Sequence, residues 1–248
     1  MKSFAERHKD RARAESFGAV AEDYERHRPA FPDALLDELA ALGAHDVLDV
    51  GCGTGKVARG LAARGMTVLG VEIDPRMAEV ARERGVTVEV APFEDWDAAG
   101  RRFELVTSGD AWHWIEPARG AAQLARVLRP GGMFVRFWNI LLLDDAVLLA
   151  LEPVYQQHAP AVFRYGRAVA PDADLPPLPG PLTETCAKTY LGERRATAAE
   201  WCAFLRTVSE IQRLPDEQRG RLLAAMQAAL VEPIRVRHVT TAVFAQRD

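Results

Sequence analysis

The sequence predicts an α/β fold: a doubly wound, mostly parallel sheet of seven strands, with a helical N-terminal cap and a lid insertion. Three observations predict it. The first forty or so residues show helical spacing and no strand pattern. From Val47 onward, five short apolar runs bounded by turn residues are interspersed with three stretches of helical character, as a parallel sheet covered on both faces requires. After Ile140 the pattern loosens, and it closes on a further strand-like run from Arg237 to Ala245.

Taken in order, Phe17, Val20, Ala21 and Tyr24 recur at helical spacing, and Arg28-Pro29 ends that stretch. Pro32 opens a second amphipathic helix, with Leu35, Leu36, Leu39 and Leu42 on one side and Gly43 as its stop. Val47 to Val50 is the first strand and Lys56 to Arg64 the helix behind it, ended by Gly65. Thr67 to Val71, Val86 to Val90, Phe103 to Thr107 and Met133 to Trp138 are the next four strands. Between them run helices from Pro75 to Arg84 and from Pro117 to Leu128, with Pro130-Gly131-Gly132 turning the chain into strand five. Beyond, Leu141 to Tyr155, Ala198 to Val208 and Glu217 to Val231 read as helices, Thr183 to Tyr190 as a strand, and the proline-rich Pro171 to Pro181 as an extended loop. The reading is one domain over residues 1–248. Residues 1–45 form the cap, 46–139 the core, 140–236 the lid with its strand near 183–190, and 237–247 the closing strand.

Composition excludes several classes. A net charge of −4 over 248 residues argues against a general nucleic-acid binder. The longest apolar candidate, Ile140 to Leu151, is broken by Asp144 and Asp145 and falls short of the roughly 20 residues that span a bilayer, so no membrane association is expected. Cys52, Cys186 and Cys202 are odd in number and far apart, which suggests neither a disulfide framework nor a zinc site and fits a reducing cytoplasm. The charged N-terminus has no apolar signal region. No metal-binding motif and no nucleophile elbow is present.

The chemistry concentrates in Asp49-Val50-Gly51-Cys52-Gly53-Thr54-Gly55, between a strand and a helix, where ligands bind in doubly wound sheets. Glycines there let backbone approach a ligand closely. An ordinary tight turn would not need three of them. A dinucleotide fingerprint, G-x-G-x-x-G, would put a third glycine where Lys56 stands. Asp49, two residues before the first glycine, suits a ligand with a cationic amino group and would repel a pyrophosphate.

Val47 to Gly55 resembles motif I of the class I S-adenosylmethionine-dependent methyltransferases, whose fold is Rossmann-like, and the later motifs of that family follow in order. The resemblance implies S-adenosyl-L-methionine as cofactor, held by Asp49, Gly51, Cys52 and Gly53. It implies that Glu72, about 20 residues after the loop and followed by Ile73, binds the ribose hydroxyls. Asp74 is the rival for that role, though it also suits the cap of the helix opened by Pro75. In Ala91-Pro92-Phe93-Glu94-Asp95 the resemblance sets Phe93 against adenine and Glu94 near its exocyclic amine, with a simple core role as the alternative for Phe93. Backbone at Ser108-Gly109 is expected against the methionine portion.

The methyl acceptor is less legible. An activated methyl donor leaves the enzyme mainly alignment and desolvation to supply, by in-line displacement. The stretch Asp110-Ala111-Trp112-His113-Trp114, with Phe17 to Pro29, resembles small-molecule methyltransferases of the trans-aconitate methyltransferase-like subgroup, in which the aromatic-His-Trp element borders the active site. His113 is the candidate catalytic residue, orienting substrate or acting as base; the alternative is a histidine bonded to nearby backbone that only shapes the pocket. Trp112 and Trp114 are expected to pack. Tyr24 and Arg28 are placed to reach the methionine carboxylate or the substrate, against a solvated surface role for Arg28. Trp201, Arg206, Thr207 and Ser209 fall on the lid. The expected partner is a small molecule with an oxygen, nitrogen or carbon nucleophile, carboxylates included, and the expected state is a monomer or homodimer. A nicotinamide oxidoreductase and a non-catalytic S-adenosylmethionine-binding protein are the competing readings.

Overall fold

The computed structural model describes residues 8–10, 16–162, 165–167, 178 and 180–248. The loop expected over Pro171 to Pro181 falls mostly outside these residues, as do parts of the N-terminal cap.

A 3-10 turn at Phe17–Val20 leads into α1 (Ala21–His27), and α2 spans Asp33–Ala41. The sheet and its crossovers follow as β1 (Asp46–Val50), α3 (Lys56–Ala62), β2 (Thr67–Glu72), α4 (Pro75–Glu83), β3 (Thr87–Val90), β4 (Phe103–Gly109), α5 (Pro117–Val127) and β5 (Leu128–Leu143). The remainder is α6 (Asp145–His158), β6 (Leu182–Ala196), α7 (Ala198–Arg206), α8 (Ser209–Gln212), α9 (Asp216–Ala229) and β7 (Ile234–Arg247).

The seven strands lie in the order β3-β2-β1-β4-β5-β7-β6. The first five pair in parallel, and β7 runs antiparallel to both β5 and β6. The apolar runs of the sequence are continuous because both faces of the central strands are buried. Neighbours on one strand serve opposite sides. Val47 and Leu105 join α2 and α3 in one cluster, with Leu35, Leu39 and Leu61. Leu48 and Val106 join Leu124 and Val127 of α5 in the other. Each such leucine contributes about 1.5–3 kcal/mol by leaving water. A third cluster joins α6, α7, α8 and α9 to the far ends of β5, β6 and β7 through Leu141, Leu143, Ala196 and Val236.

Three elements differ from expectation. Leu141 to Leu143 continue β5, opposite His238, Arg237 and Val236 of β7, and α6 begins only at Asp145. Pairing along a neighbouring strand outweighs a leucine-rich run's intrinsic helix preference. Strands β6 and β7 run longer than predicted for the same reason, since each lends the other its hydrogen-bond partners to Ala196 and Ile234. The turn at Pro130-Gly131-Gly132 is an irregularity inside β5, where the register jumps from Phe103 opposite Leu128 to Leu105 opposite Met133.

Candidate active site

The strand order reverses direction at β1, which has β2 on one side and β4 on the other. The loops after β1 and β4 therefore part and leave a crevice at the carboxyl ends of the strands. A cavity of about 260 Å³ occupies it, lined also by Phe17, Tyr24 and Arg28 of the N-terminal segment and by Trp201 and Phe204 of α7.

The glycine loop forms its floor. Gly51, Gly53 and Gly55 all have positive φ, at 66°, 55° and 80°, a region side chains with a Cβ rarely adopt. A Cβ on Gly51 would also lie 2.4 Å from the Ala111 methyl. The amides of Gly51 and Cys52 donate to the Val71 carbonyl at 2.8 and 3.2 Å, which pins the loop to β2.

Two carboxylates face the cavity from below. Asp49 accepts from the Thr107 hydroxyl at 2.9 Å through Oδ1, while its buried Oδ2 has no protein partner. Burial pushes its pKa up to about 7, partly offset by the Thr107 hydroxyl and the Ala58 amide and reinforced by the Glu72 charge. Glu72 takes the amides of Ile73 and Asp74 on Oε1, both at 2.9 Å, and that of Gly53 on Oε2 at 2.8 Å. Burial raises it as well, against those three amides. Asp74 points away from the cavity: it caps α4 through the Arg76 amide at 2.9 Å and receives the Gly18 amide at 3.0 Å.

Of the residues singled out in the sequence, Tyr24, Arg28, Asp49, Gly51, Cys52, Gly53, Glu72, Ile73, Phe93, Glu94 and His113 all line the cavity. Ser108 does not; its hydroxyl donates to the Val50 carbonyl at 3.0 Å inside the sheet, and Gly109 takes the place at the wall. Glu94 accepts the Glu116 amide at 3.0 Å. Trp112 packs in the core, as expected, but Trp114 lines the cavity and meets Phe17 edge-on at 6.1 Å. Arg28 is no surface residue. Its guanidinium lies between the Tyr24 and Phe204 rings, at 5.1 and 5.2 Å, and donates to the Thr207 hydroxyl and carbonyl at 2.9 and 3.1 Å. Burial pushes the Tyr24 phenol up to about 12, with Arg28 opposing.

Sequence reasoning missed Glu25. From α1 it receives the Thr54 hydroxyl at 2.6 Å and Arg59 at 2.6 Å, and Lys56 donates to its carbonyl at 2.5 Å. The long side chain that replaces the third dinucleotide glycine thus ties the cap to the loop. No spacing signal marks such a contact, because it joins residues about thirty apart through tertiary packing. Asp110 was passed over with a signal available: an acid directly after a strand, here at φ 55°, its carboxylate accepting the Asn139 amide at 3.2 Å. Such a left-handed residue at a cavity wall is costly and points to use. Glu210 and Tyr165 also line the cavity and are hydrogen-bonded to each other.

Among the described residues, no group of three or more His, Cys, Asp and Glu is placed to hold a metal ion. Among the described residues, no helix is long and apolar enough to cross a membrane.

Comparison with known proteins agrees with this geometry. Residues 48–136 match the family described as "Methyltransferase domain". An uncharacterized methyltransferase of Mycobacterium tuberculosis is 39% identical over 131 residues, which cover 50% of this chain and 52% of the relative. A malonyl-[acyl-carrier protein] O-methyltransferase of Enterobacter lignolyticus is 35% identical over 126 residues, 48% of this chain and 50% of the relative. The chain thus spans about half the length of these curated relatives. A structure of a protein described as a type II methyltransferase, from Anaeromyxobacter dehalogenans, superimposes with a TM-score of 0.67 at 26% identity over 88% of this chain and 97% of that one. Residues 48–136 thus resemble a methyltransferase domain, and the chain has the Rossmann-like fold of the methyltransferase structure it superimposes on.

Proposed function

We propose that this chain transfers a methyl group from S-adenosylmethionine to a small-molecule acceptor. The observation that carries the reading is the buried, unpartnered Oδ2 of Asp49, a residue that lines the cavity together with Glu72 and the glycine loop. A buried carboxylate oxygen without a partner is costly unless a ligand supplies a donor or a positive charge. The amino group of a methionine moiety is both.

The residues present fit the cofactor. Asp49 would hold the amino group, Glu72 the ribose hydroxyls through the lone pairs its three amide partners leave, and Phe93 with Ile73 the two sides of the adenine. When bound, the cofactor supplies a methyl group on a sulfonium, which an in-line nucleophile takes as the carbon–sulfur bond breaks. The chain's own work is alignment and exclusion of water. Trp114, Trp138, Trp201 and Phe204 wall the acceptor side, and Arg28 bridges α1 to the end of α7 above it. The described cations at the wall already have partners: Arg28 holds Thr207, Lys56 holds Glu25, and Arg167 holds Glu152.

Calorimetry with S-adenosylhomocysteine and with NAD tests the reading. Binding of the first and not the second is expected, and binding of NAD alone would overturn it. Glu72→Ala should weaken S-adenosylhomocysteine by about 1–3 kcal/mol as buried hydrogen bonds to charge are lost. Unchanged affinity would move the ribose role elsewhere. Methyl transfer from labelled cofactor to a panel of phenols, amines and thiols then searches for the acceptor.

A further inference from the structure

His113 sits on the 3-10 turn Trp112–Trp114 just past β4, and its ring lines the cavity. Trp138 stands on the neighbouring β5 and is 2% exposed. The indole Nε1–H of Trp138 donates to Nδ1 of His113 at 3.3 Å. An indole nitrogen can only donate. The imidazole nitrogen facing it must therefore accept and carry no proton, which puts the proton of the neutral ring on Nε2. Turning the ring by half a revolution would set a carbon against the indole N–H and leave a buried donor unpaired, an arrangement proteins avoid.

We infer that Trp138 fixes His113 in the Nε2–H form, so that His113 serves as a hydrogen-bond donor that positions the methyl acceptor and not as the base that removes its proton. To abstract a proton through Nε2 the ring would first have to move its own proton to Nδ1, head-on against the indole N–H. In the arrangement seen here the proton stays on Nε2 throughout. The acceptor meets the methyl group with a free lone pair of its own and offers a further lone pair, or an adjacent accepting atom, to His113. The acceptor enters already deprotonated or, as an amine, loses its proton after the methylated product is released to solvent. This inference rests on the proposed methyl transfer for its substrate half, while its tautomer half stands on the protein alone.

The test is long-range proton–nitrogen NMR on the full chain with labelled histidine, the His113 signals being assigned from a His113→Gln spectrum. The expected pattern at neutral pH has a protonated Nε2 and a bare, pyridine-type Nδ1. In Trp138→Phe the ring is released and the pattern shifts toward a mixture of tautomers, while S-adenosylhomocysteine titrated into the same samples reports whether the pocket is intact. A protonated Nδ1 in the wild type, or a pattern indifferent to Trp138→Phe, overturns the inference. Should Trp138→Phe not fold, turnover with the acceptor found in the panel decides between donor and base. His113→Gln keeps a donor at nearly the same reach and should retain rate to within about tenfold, its loss mostly in KM. His113→Glu keeps a base and no donor and should lose rate on the order of a hundredfold or more. Rescue by Glu and not by Gln overturns the proposal. Failure of S-adenosylhomocysteine to bind wild type overturns the methyl-transfer reading and leaves the tautomer result standing.

Discussion

Asp49 is the residue whose environment makes the sharpest demand. Burial raises its pKa to about 7 from the ordinary carboxylate value, with the Thr107 hydroxyl opposing and Glu72 reinforcing. The folded, ligand-free chain thus keeps a proton there that the unfolded chain gives up at lower pH. The stability this lends is full below the unfolded pKa and is lost as pH rises through about 7. A cationic amino group drawn to Asp49 must displace that proton. S-adenosylhomocysteine affinity should therefore climb with pH, by up to about tenfold per unit, and level off above about pH 7. Asp49→Asn should flatten that dependence, and calorimetry across this range checks both. The cysteines make a second contrast. Cys186 is exposed, whereas Cys52 and Cys202 are buried and burial pushes both thiols up, Cys202 to about 11. Alkylation should mark Cys186 first, with the other two reacting only as the chain opens; mass spectrometry reads the order. None of these environments is written in a motif. The motif supplies Asp49, and the sheet that closes around it decides its acidity.

At the scale of elements, α1 functions as a strap. Glu25 fastens it to the glycine loop through Thr54, Lys56 and Arg59, and Arg28 fastens it to the end of α7 at Thr207. Burial pushes Glu25 up, but the Thr54 hydroxyl and the Lys56 and Arg59 charges outweigh it and hold the carboxyl below its usual range. The stability Glu25 contributes is therefore present above the ordinary carboxylate pKa and lost as pH falls through the lowered one. Glu25→Ala should cost about 1–3 kcal/mol, and trypsin should cut the N-terminal segment faster in that variant than in wild type, with gel densitometry as the readout. The sequence showed a helical stretch here, because Phe17, Val20, Ala21 and Tyr24 recur at helical spacing, although Phe17–Val20 fold as a 3-10 turn ahead of α1. What that helix covers depends on a carboxylate meeting side chains about thirty residues further on, which no local period records. The strands β5, β6 and β7 make the same point. Their cores were legible, and their extensions beyond Trp138, Tyr190 and before Arg237 exist because each finds a partner beside it.

Across the molecule, β5 runs through all three large hydrophobic clusters. Phe134 packs beside α5, Val135 and Phe137 beside α2 and α3, and Leu141 and Leu143 beside the helices of the lid. A strand shared in this way couples the cofactor half to the lid, and the single-domain organisation is proposed on that ground. Urea unfolding followed by tryptophan fluorescence and by circular dichroism should give coincident transitions; two separated midpoints would show the lid to be a unit of its own. Trp201→Ala, at a side chain with no exposed surface in the lid cluster, should destabilise by about 3–5 kcal/mol and shift both probes together.

The sequence by itself determined the doubly wound sheet, the glycine loop, the acid at the end of β2 and the aromatic-His-aromatic turn after β4, because hydrophobic period, glycine placement and spacing are local properties of a chain. Tertiary structure alone decided the rest. It turned Ser108 into the sheet, folded Arg28 onto Thr207 and left Asp49 with an unpartnered oxygen. It also set the Trp138 indole against His113, and so decided which nitrogen of that ring carries the proton. Those outcomes depend on which distant groups burial brings within hydrogen-bond reach, and that distance exists only once the chain has folded.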